Sequence, residues 1–424
     1  MSPKVVVIGS GAREHALVRA LLRGARERGD AREIVAIPGN AGIALDARCM
    51  PASGTAEALA AAALWEKPDL VVVGPEAPLA EGLADRLAHE RIPCFGPSAA
   101  PARIEASKAF AKEVMAAAGV PTAAAAVFDD PRKAKAYVSG PCVVKLDGLA
   151  AGKGVIVCDD AAAAIGAIDE LWRVGEQGTG TVRLLVEERL QGPELSIMAL
   201  TDGTAVVPLA PARDHKRLQD GDRGPNTGGM GAMSPPRDAT PELVAEVVRT
   251  VLQPTVLELA ARGTPFRGAL YAGLILTERG PRVLEFNCRL GDPEAQAILL
   301  RLRSDPLPLF LGCAQGTLPR AALTWDPRAS VAVVVAAAGY PGTPRLGDEI
   351  KGLDEVGQSD DLWLLHAGTK LKDRRFVTAG GRLLTIAALG ADAAKARRRA
   401  YEAAERIRIE GAQMRRDIAA AEVR

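Results

Sequence analysis

The sequence predicts an α/β protein of two to four domains, and three observations carry that prediction. The first hundred residues alternate short, almost wholly apolar runs with helical stretches. A chain of 424 residues is too long for one ordinary hydrophobic core. Beyond residue 100 the pattern changes to strands separated by glycine-rich turns.

In the first region Val5–Ile8, Ile34–Ile37, Leu70–Val73 and Pro93–Phe95 each lead into a turn bearing glycine or proline. Segments rich in Ala, Leu and Arg, with helical spacing, lie between them. Such runs read as strands buried on both faces, hence as βα units of a parallel sheet. Ligands of these sheets bind at the carboxyl ends of the strands, where GSGAREH, PGNAG and GPEAPL stand. The second region opens near Ser107–Lys108, with helical stretches on either side of Val120–Ala126. A strand CVVK, the glycine-rich DGLAAGKG and a strand VIVC follow. Further strands are expected at Leu184–Glu187, Glu194–Leu200, Leu270–Thr277 and Arg282–Asn287. A polar, glycine-rich stretch from about Arg213 to Pro236 interrupts them and reads as a functional or disordered loop. The third region begins with SVAVVVAAAGYPG and holds a strand–turn–strand pattern, RFVTAGGRLLTIAALG. It closes on an Arg-rich amphipathic helix, Ala393–Arg408, whose charged face reads as solvated surface. There are no internal repeats.

Composition narrows the function. With 48% hydrophobic and 25% charged residues the chain is ordinary for a soluble globular protein. A net charge of +1 gives no general pull toward nucleic acid or anionic membrane, so any anion binding is local. The N-terminus runs straight into Val5–Ile8 without the cationic lead of a signal peptide. No apolar stretch is long enough to span a bilayer. Cys49, Cys94, Cys142, Cys158, Cys288 and Cys313 contain no C-x-x-C pair and read as reduced, buried thiols. The expected location is the cytoplasm, with no nucleic acid and no membrane among the partners.

Three motifs carry chemistry. VVIGSGAREHA gives strand, Gly-x-Gly turn and helix, where free helix N–H groups face the turn and gather an anion. The third glycine of a dinucleotide fingerprint is missing, and Arg13 and Glu14 follow instead. Arg13 suits a phosphate monoester; the alternative is a merely tight turn. In DGLAAGKG, Gly148, Gly152 and Gly154 permit close backbone approach and Lys153 offers a point charge, without the order of a Walker loop. Between two strands it reads as a flap over phosphates, with Lys145 either a second cation or an ordinary strand-end lysine. In VLEFNCRLGDPE, strand alternation puts Glu285, Asn287 and Arg289 on one face and Leu284, Phe286, Cys288 and Leu290 on the apolar other. Carboxylate and amide oxygens suit Mg²⁺ held jointly with phosphate, and a guanidinium suits a carboxylate. The competing reading is a surface ion pair, Glu285 with Arg289.

Taken in order, GSGAREHA, PGNAG, VVGPEAPLA, FGPS, SKAF, VPTA, DGLAAGKGV, DHKR at Asp214–Arg217, GPNTGGMGA at Gly224–Ala232, LYAGL, EFNCRLGDPE and HAGT resemble the phosphoribosylamine–glycine ligase family. That family lies within the ATP-grasp superfamily, and the resemblance covers essentially the whole chain. It implies a Rossmann-like N-terminal domain (1–103), an ATP-grasp domain (104–325) with a flap subdomain at about 123–188, and a small β-rich C-terminal domain (326–424). ATP would lie between flap and core, with Lys108 and Lys145 at its phosphates and Gly148, Gly152, Lys153 and Gly154 over them. Adenine would meet the hinge at Glu187, Glu188 and Leu190, and Glu194 would hold the ribose. The resemblance implies Mg²⁺ or Mn²⁺ at Glu285 and Asn287. Asp214, Lys216, Arg289 and Gly291 would line the acyl-phosphate and glycine end, the first three as catalytic groups. Gly9, Gly11, Arg13, Asn40 and Glu76 would lie toward the ribose phosphate of 5-phosphoribosylamine. A transient hand-over of that amine from the enzyme that makes it is the one macromolecular contact the resemblance allows.

The implied reaction is the second step of de novo purine biosynthesis. ATP phosphorylates glycine to glycyl phosphate, and the amine attacks it to give glycinamide ribonucleotide, ADP and phosphate. None of the four histidines need be a nucleophile, and His215 is expected to orient its loop. Ala12 stands where the family often has glycine, Leu146 where alanine is usual, and GALYAGLIL lacks an extra carboxylate, which leaves the metal number open. The rival readings are another ATP-grasp ligase, a nicotinamide-dependent dehydrogenase built on the Gly-x-Gly turn, and an inactive binding protein. A screen of amine substrates, NADH binding and ADP release with glycine separate them.

Overall fold

Apolar residues at every position of Val5–Ile8 leave neither face of that strand for water. The chain meets this by placing Lys4–Gly9 in the middle of a parallel sheet. The sheet order is Arg48–Cys49, Glu33–Pro38, Lys4–Gly9, Leu70–Val73, Cys94–Phe95. Pairing proceeds outward from Lys4–Gly9 in one direction and then, from Leu70–Val73, in the other. The chain order thus reverses at the carboxyl ends of these two strands, where the buried Glu14 side chain fills the space between the turns at Gly9 and Gly74. The computed structural model describes residues 2–149, 154–177 and 181–423; Gly152 and Lys153 lie outside them.

Two antiparallel sheets follow. One, ordered Val206–Pro208, Glu194–Asp202, Arg267–Thr277, Gly280–Asn287, forms the floor of the second region. The other is ordered Ala125–Phe128, Leu184–Glu188, Cys142–Leu146, Val155–Cys158, and the DGLAAGKG sequence joins its last two strands. Helices Pro131–Tyr137 and Ala161–Glu176 accompany it, each capped by an aspartate, Asp130 and Asp160, that accepts a backbone N–H of the first turn.

The stretch from Arg213 to Pro236 is a correction to the loop expected there. It forms a hairpin, Arg217–Gln219 with Arg223–Asn226, and two further strands, Arg213–Asp214 and Gly231–Ser234. These two join the sheet of the third region, whose order is Arg213–Asp214, Gly231–Ser234, Ala329–Ala336, Arg382–Gly390, Leu362–His366. Glycine and small polar residues hide the period-two signal, and Gly231–Ser234 joins this sheet through Ala329–Ala336, about a hundred residues away. The C-terminal helix is Ala393–Ala404, shorter than expected, because Arg408 leaves it to bridge with Lys351.

The first sheet is sandwiched. Val5, Val7, Leu70 and Val72 share a core with helices Ala12–Arg28 and Glu294–Arg301 and with Trp363 and Leu389 of the C-terminal sheet. Val6, Ile8, Val71 and Val73 face the other way, onto Leu195, Ile197, Leu270 and Phe286 of the floor. Each such fully buried side chain is worth about 1.5–3 kcal/mol, so the turns after these strands are held rigidly against both neighbours. Among the described residues no helix is long and apolar enough to cross a membrane. All six cysteines are free, with Cys49 and Cys94 only half-buried.

Candidate functional site

At the start of the glycine-rich segment, Ser107 caps helix Lys108–Ala117 by accepting the Phe110 N–H, and its hydroxyl meets Asp147 Oδ2 at 3.2 Å. Lys108 Nζ donates to the carbonyls of Leu146 and Gly148, both at 2.9 Å. Gly148 has φ +109°, a conformation that side chains rarely tolerate. Gly154 pairs with Leu146 at the far end of the loop. Lys145 Nζ lies 2.8 Å from Glu187 Oε2 and donates to the Leu284 carbonyl at 3.0 Å. Lys112, overlooked in the sequence, stands 3.5 Å from the other oxygen of Glu187. The Glu187 side chain is thus turned inward to two lysines. Glu188, exposed, and Leu190, half-buried, lie further along the same hinge.

The Glu285 strand needs one correction. Gly273 pairs with Glu285 but Leu274 pairs with Val283, so the strand bulges at Leu284. Val283 therefore enters the core in place of Leu284, which is half-buried, while Phe286, Cys288 and Leu290 are buried as expected. Glu285 and Asn287 stay half-buried on the open face. Lys216 Nζ stands 3.6 Å from Glu285 and 2.9 Å from Glu194. Burial raises the Glu285 carboxyl, but Lys216, Lys145, Lys108 and Arg289 outweigh it and hold it below the usual range. Burial, with Lys145 next to it, lowers the Lys108 ammonium against the pull of Glu285.

Arg289 is gripped by two carboxylates. Its Nε donates to Glu76 at 3.1 Å and its Nη2 lies 2.9 Å from Glu105. Burial pushes the Glu105 carboxyl up; at Glu76 the same push is overcome by Arg289 and Arg13. The Gly-x-Gly turn differs from expectation in one respect. The Gly11 N–H is not free: it donates to Glu14 Oε2 at 2.6 Å, while Arg13 Nε donates to Glu14 Oε1 at 2.8 Å. A Cβ on Gly9 would stand 2.5 Å from Glu14 Cγ, so Gly9, at φ +126°, makes room for that buried carboxylate. Arg13 is itself buried and reaches the Leu290 carbonyl at 3.1 Å. Asn40 is fully engaged too, donating to Ser10 O and His366 O and accepting from the Gly42 and Ile43 N–H groups.

Between these groups lies a third cluster. Asp214 Oδ1 is buried with no partner, and burial, then Glu294, pushes its carboxyl well up. Glu294 accepts from Ser196 Oγ at 2.9 Å, and a Cβ on Gly291 would come within 2.6 Å of its carboxylate. Arg382 of the C-terminal sheet donates to the carbonyl of Asp292 at 3.0 Å and to its Oδ2 at 2.9 Å, and also bonds the Gly228 carbonyl. Tyr340 accepts the Gly228 N–H at 2.9 Å. His215 accepts from the Ala419 N–H at 3.4 Å, so its ring ties its loop to the C-terminal segment.

One face of the floor thus brings together Lys108, Lys145, Asp214, Lys216, Glu285 and Arg289. Gly9, Gly11 and Glu76 border it from the first sheet. Arg13 and Asn40 stand behind that border, held by protein partners. Glu105, Lys112 and Arg382 escaped the sequence reading, because the site groups they meet, Cys288, Glu187 and Asp292, lie 183, 75 and 90 residues away. Glu294 sat within the GDPE string and was legible there.

Residues 3–105, 106–295 and 330–421 match the N, ATP-grasp (A) and C domains of phosphoribosylglycinamide synthetase. The phosphoribosylamine–glycine ligase of Streptomyces coelicolor is 51% identical over 424 residues, covering 98% of this chain and 99% of its own. That of Allochromatium vinosum is 46% identical, covering 98% and 97%. The crystal structure of the Thermotoga maritima phosphoribosylamine–glycine ligase superposes with a TM-score of 0.83 at 35% identity, over 98% of this chain and 100% of that one. The biotin carboxylase domain of Hydrogenobacter thermophilus 2-oxoglutarate carboxylase, solved with MgADP and bicarbonate, shares the fold at 20% identity (TM-score 0.73; 98% and 92% covered).

Proposed function

We propose that this chain, which belongs to the phosphoribosylamine–glycine ligase family, joins glycine to 5-phosphoribosylamine through a glycyl phosphate. The family makes it an ATP-grasp ligase of purine biosynthesis. The observation that carries the mechanism is the convergence of Lys108, Lys145, Lys216 and Arg289 on one half-buried carboxylate, Glu285. Cations gathered there, each with N–H donors to spare, suit a transferring phosphoryl group, whose oxygens carry the charge of the reaction.

ATP lies between flap and floor, its adenine at the hinge Glu187–Leu190, Glu194 at its ribose and its terminal phosphate beside Lys108, Lys145 and the flap. Gly152 and Lys153, outside the described residues, are assigned to that flap from the sequence alone. Mg²⁺ would be held by Glu285 and Asn287, with Mn²⁺ served by the same donors. Among the described residues no three His, Cys, Asp or Glu side chains gather as a metal nest. Two hard oxygens beside phosphate-directed lysines fit an ion whose other ligands are phosphate and water. Bound there it would neutralise phosphoryl charge.

Glycine sits at the other end, its ammonium on the unpartnered Asp214 Oδ1 and its carboxylate toward Arg289 and Gly291. A carboxylate oxygen takes the γ-phosphoryl group and ADP leaves. The amine of phosphoribosylamine attacks the acyl carbon, the C–O bond to phosphate breaks, and inorganic phosphate departs. Lys216 and Arg289 stabilise charge on the acyl phosphate, and the flap keeps water from it. The ribose phosphate lies toward Gly9, Gly11 and Glu76. Arg13 and Asn40 shape that end through Glu14 and the Ser10 carbonyl. The cytoplasm is the place of work, with phosphoribosylamine handed over by the enzyme that makes it.

Glycine labelled with ¹⁸O in its carboxylate tests the route. Acyl phosphate chemistry delivers label to inorganic phosphate with ADP as the nucleotide product. Label in AMP, with pyrophosphate released, would mean adenylation and overturn the mechanism.

A further inference from the structure

Arg289 carries five N–H donors, and three are already committed inside the protein. Nε goes to Glu76 and Nη2 to Glu105, and Nη1 donates to the Leu290 carbonyl at 3.3 Å. One N–H on each terminal nitrogen remains for an incoming anion. The two carboxylates differ in kind. Glu76 is 31% exposed at its side chain and makes one side-chain contact with the guanidinium. Glu105 is 7% exposed, and its second oxygen accepts the backbone N–H of Cys288 at 2.7 Å. It therefore fixes both the Asn287–Cys288 peptide and the guanidinium itself.

Continuity of the chain strengthens this. Glu105 is in the last turn of helix Ala99–Ala106. The next residue, Ser107, meets Asp147, and Lys108 holds the Leu146 and Gly148 carbonyls. Four consecutive residues thus span from Arg289 to the glycine-rich loop.

We infer that Glu105 is a positioning residue for Arg289: the buried carboxylate holds the guanidinium and the Cys288 peptide so that the two remaining N–H groups meet the carboxylate of glycine. This rests on the reading of Arg289 given above, so the test separates the two. Initial rates are measured on the full-length enzyme as wild type, Glu105→Gln, Glu105→Asp, Arg289→Lys and the double variant Glu105→Gln/Arg289→Lys, with melting temperatures alongside. Glutamine keeps an acceptor for Cys288 but removes the charge that aims Arg289. Glu105→Gln is expected to raise the KM for glycine about tenfold and the KM for ATP less than about twofold. Glu105→Asp recovers part of the glycine KM. The double variant is no worse for glycine than Arg289→Lys alone, because the two act as one unit. If Arg289→Lys leaves the glycine KM unchanged, the assignment of Arg289 fails and takes this inference with it. If Arg289→Lys raises it but Glu105→Gln does not, only the role of Glu105 is overturned. Equal rises in both KM values with a fallen melting temperature would make Glu105 merely structural, and would also overturn it.

Discussion

Acidification from about pH 7.5 to about 4.5 should weaken the contact between the N-terminal turn and the C-terminal sheet, and His366 sets a measurable share of the loss. His15 and His366 are each 2% exposed. The His366 N–H donates to His15 Nδ1 at 2.9 Å, and His15 Nε2 meets Asp46 at 2.9 Å. His15 therefore carries its proton on Nε2, and a second proton would face an N–H. Burial, then the neighbouring His15, lowers His366 to about 3. Unfolded, a histidine titrates near 6.5. Below about pH 6.5 the unfolded chain binds a proton that the folded one refuses until about 3, so stability falls with pH across that window. Between the two chosen pH values the difference is about 2–3 kcal/mol for His366 alone. His215, lowered to about 4 by burial and then Arg415, acts in the same direction. Asp214 and Glu105, pushed up by burial, act in the opposite one. His366→Asn isolates the site, since asparagine stays neutral throughout. Urea unfolding of wild type and variant at both pH values should show a pH dependence smaller by about 2–3 kcal/mol in the variant, whatever its stability at neutral pH. A variant that keeps the wild-type slope would refute the argument.

Glu285→Ala should abolish ligase activity at saturating magnesium with an unchanged melting temperature, because the half-buried carboxylate faces the site while Val283 and Phe286 hold the strand; steady-state rates and a thermal scan check both parts. Gly229→Ala should cost about 1–3 kcal/mol of stability and slow turnover. Its φ is +103°, and the new Cβ would press within 2.9 Å of Asp214 Oδ1, which urea midpoints and kcat will register. Arg13→Ala should lower the melting temperature and raise the KM for phosphoribosylamine more than that for ATP, since it leaves Glu14 buried without its cation beside the Gly9–Gly11 turn; a melting temperature at the wild-type value would reject this. ATP with magnesium should slow amide exchange around Leu146–Leu149, where Lys108 holds the loop; equal exchange with and without nucleotide would mean that the glycines serve only a turn.

What local periodicity writes along the chain could be read from it directly. Runs such as Val5–Ile8 and Leu70–Val73 announce strands buried on both faces, and the parallel sheet and its glycine turns follow from them. The open face of Glu285 and Asn287 was legible for the same reason, as alternation along one strand. Tertiary structure decided what depends on distant partners. A bulge, invisible in composition, exchanged Leu284 for Val283 in the core. Gly231–Ser234 found its edge on Ala329–Ala336, and Arg213–Asp214 then paired onto Gly231–Ser234. Glu14 took the Gly11 N–H that sequence alone leaves free, and Arg289 acquired Glu76 and Glu105 from the first region. Hydrophobic spacing is written residue by residue along the chain. The pairing of buried charges is written only in space, because a carboxylate taken from water must find its cation wherever the fold brings one.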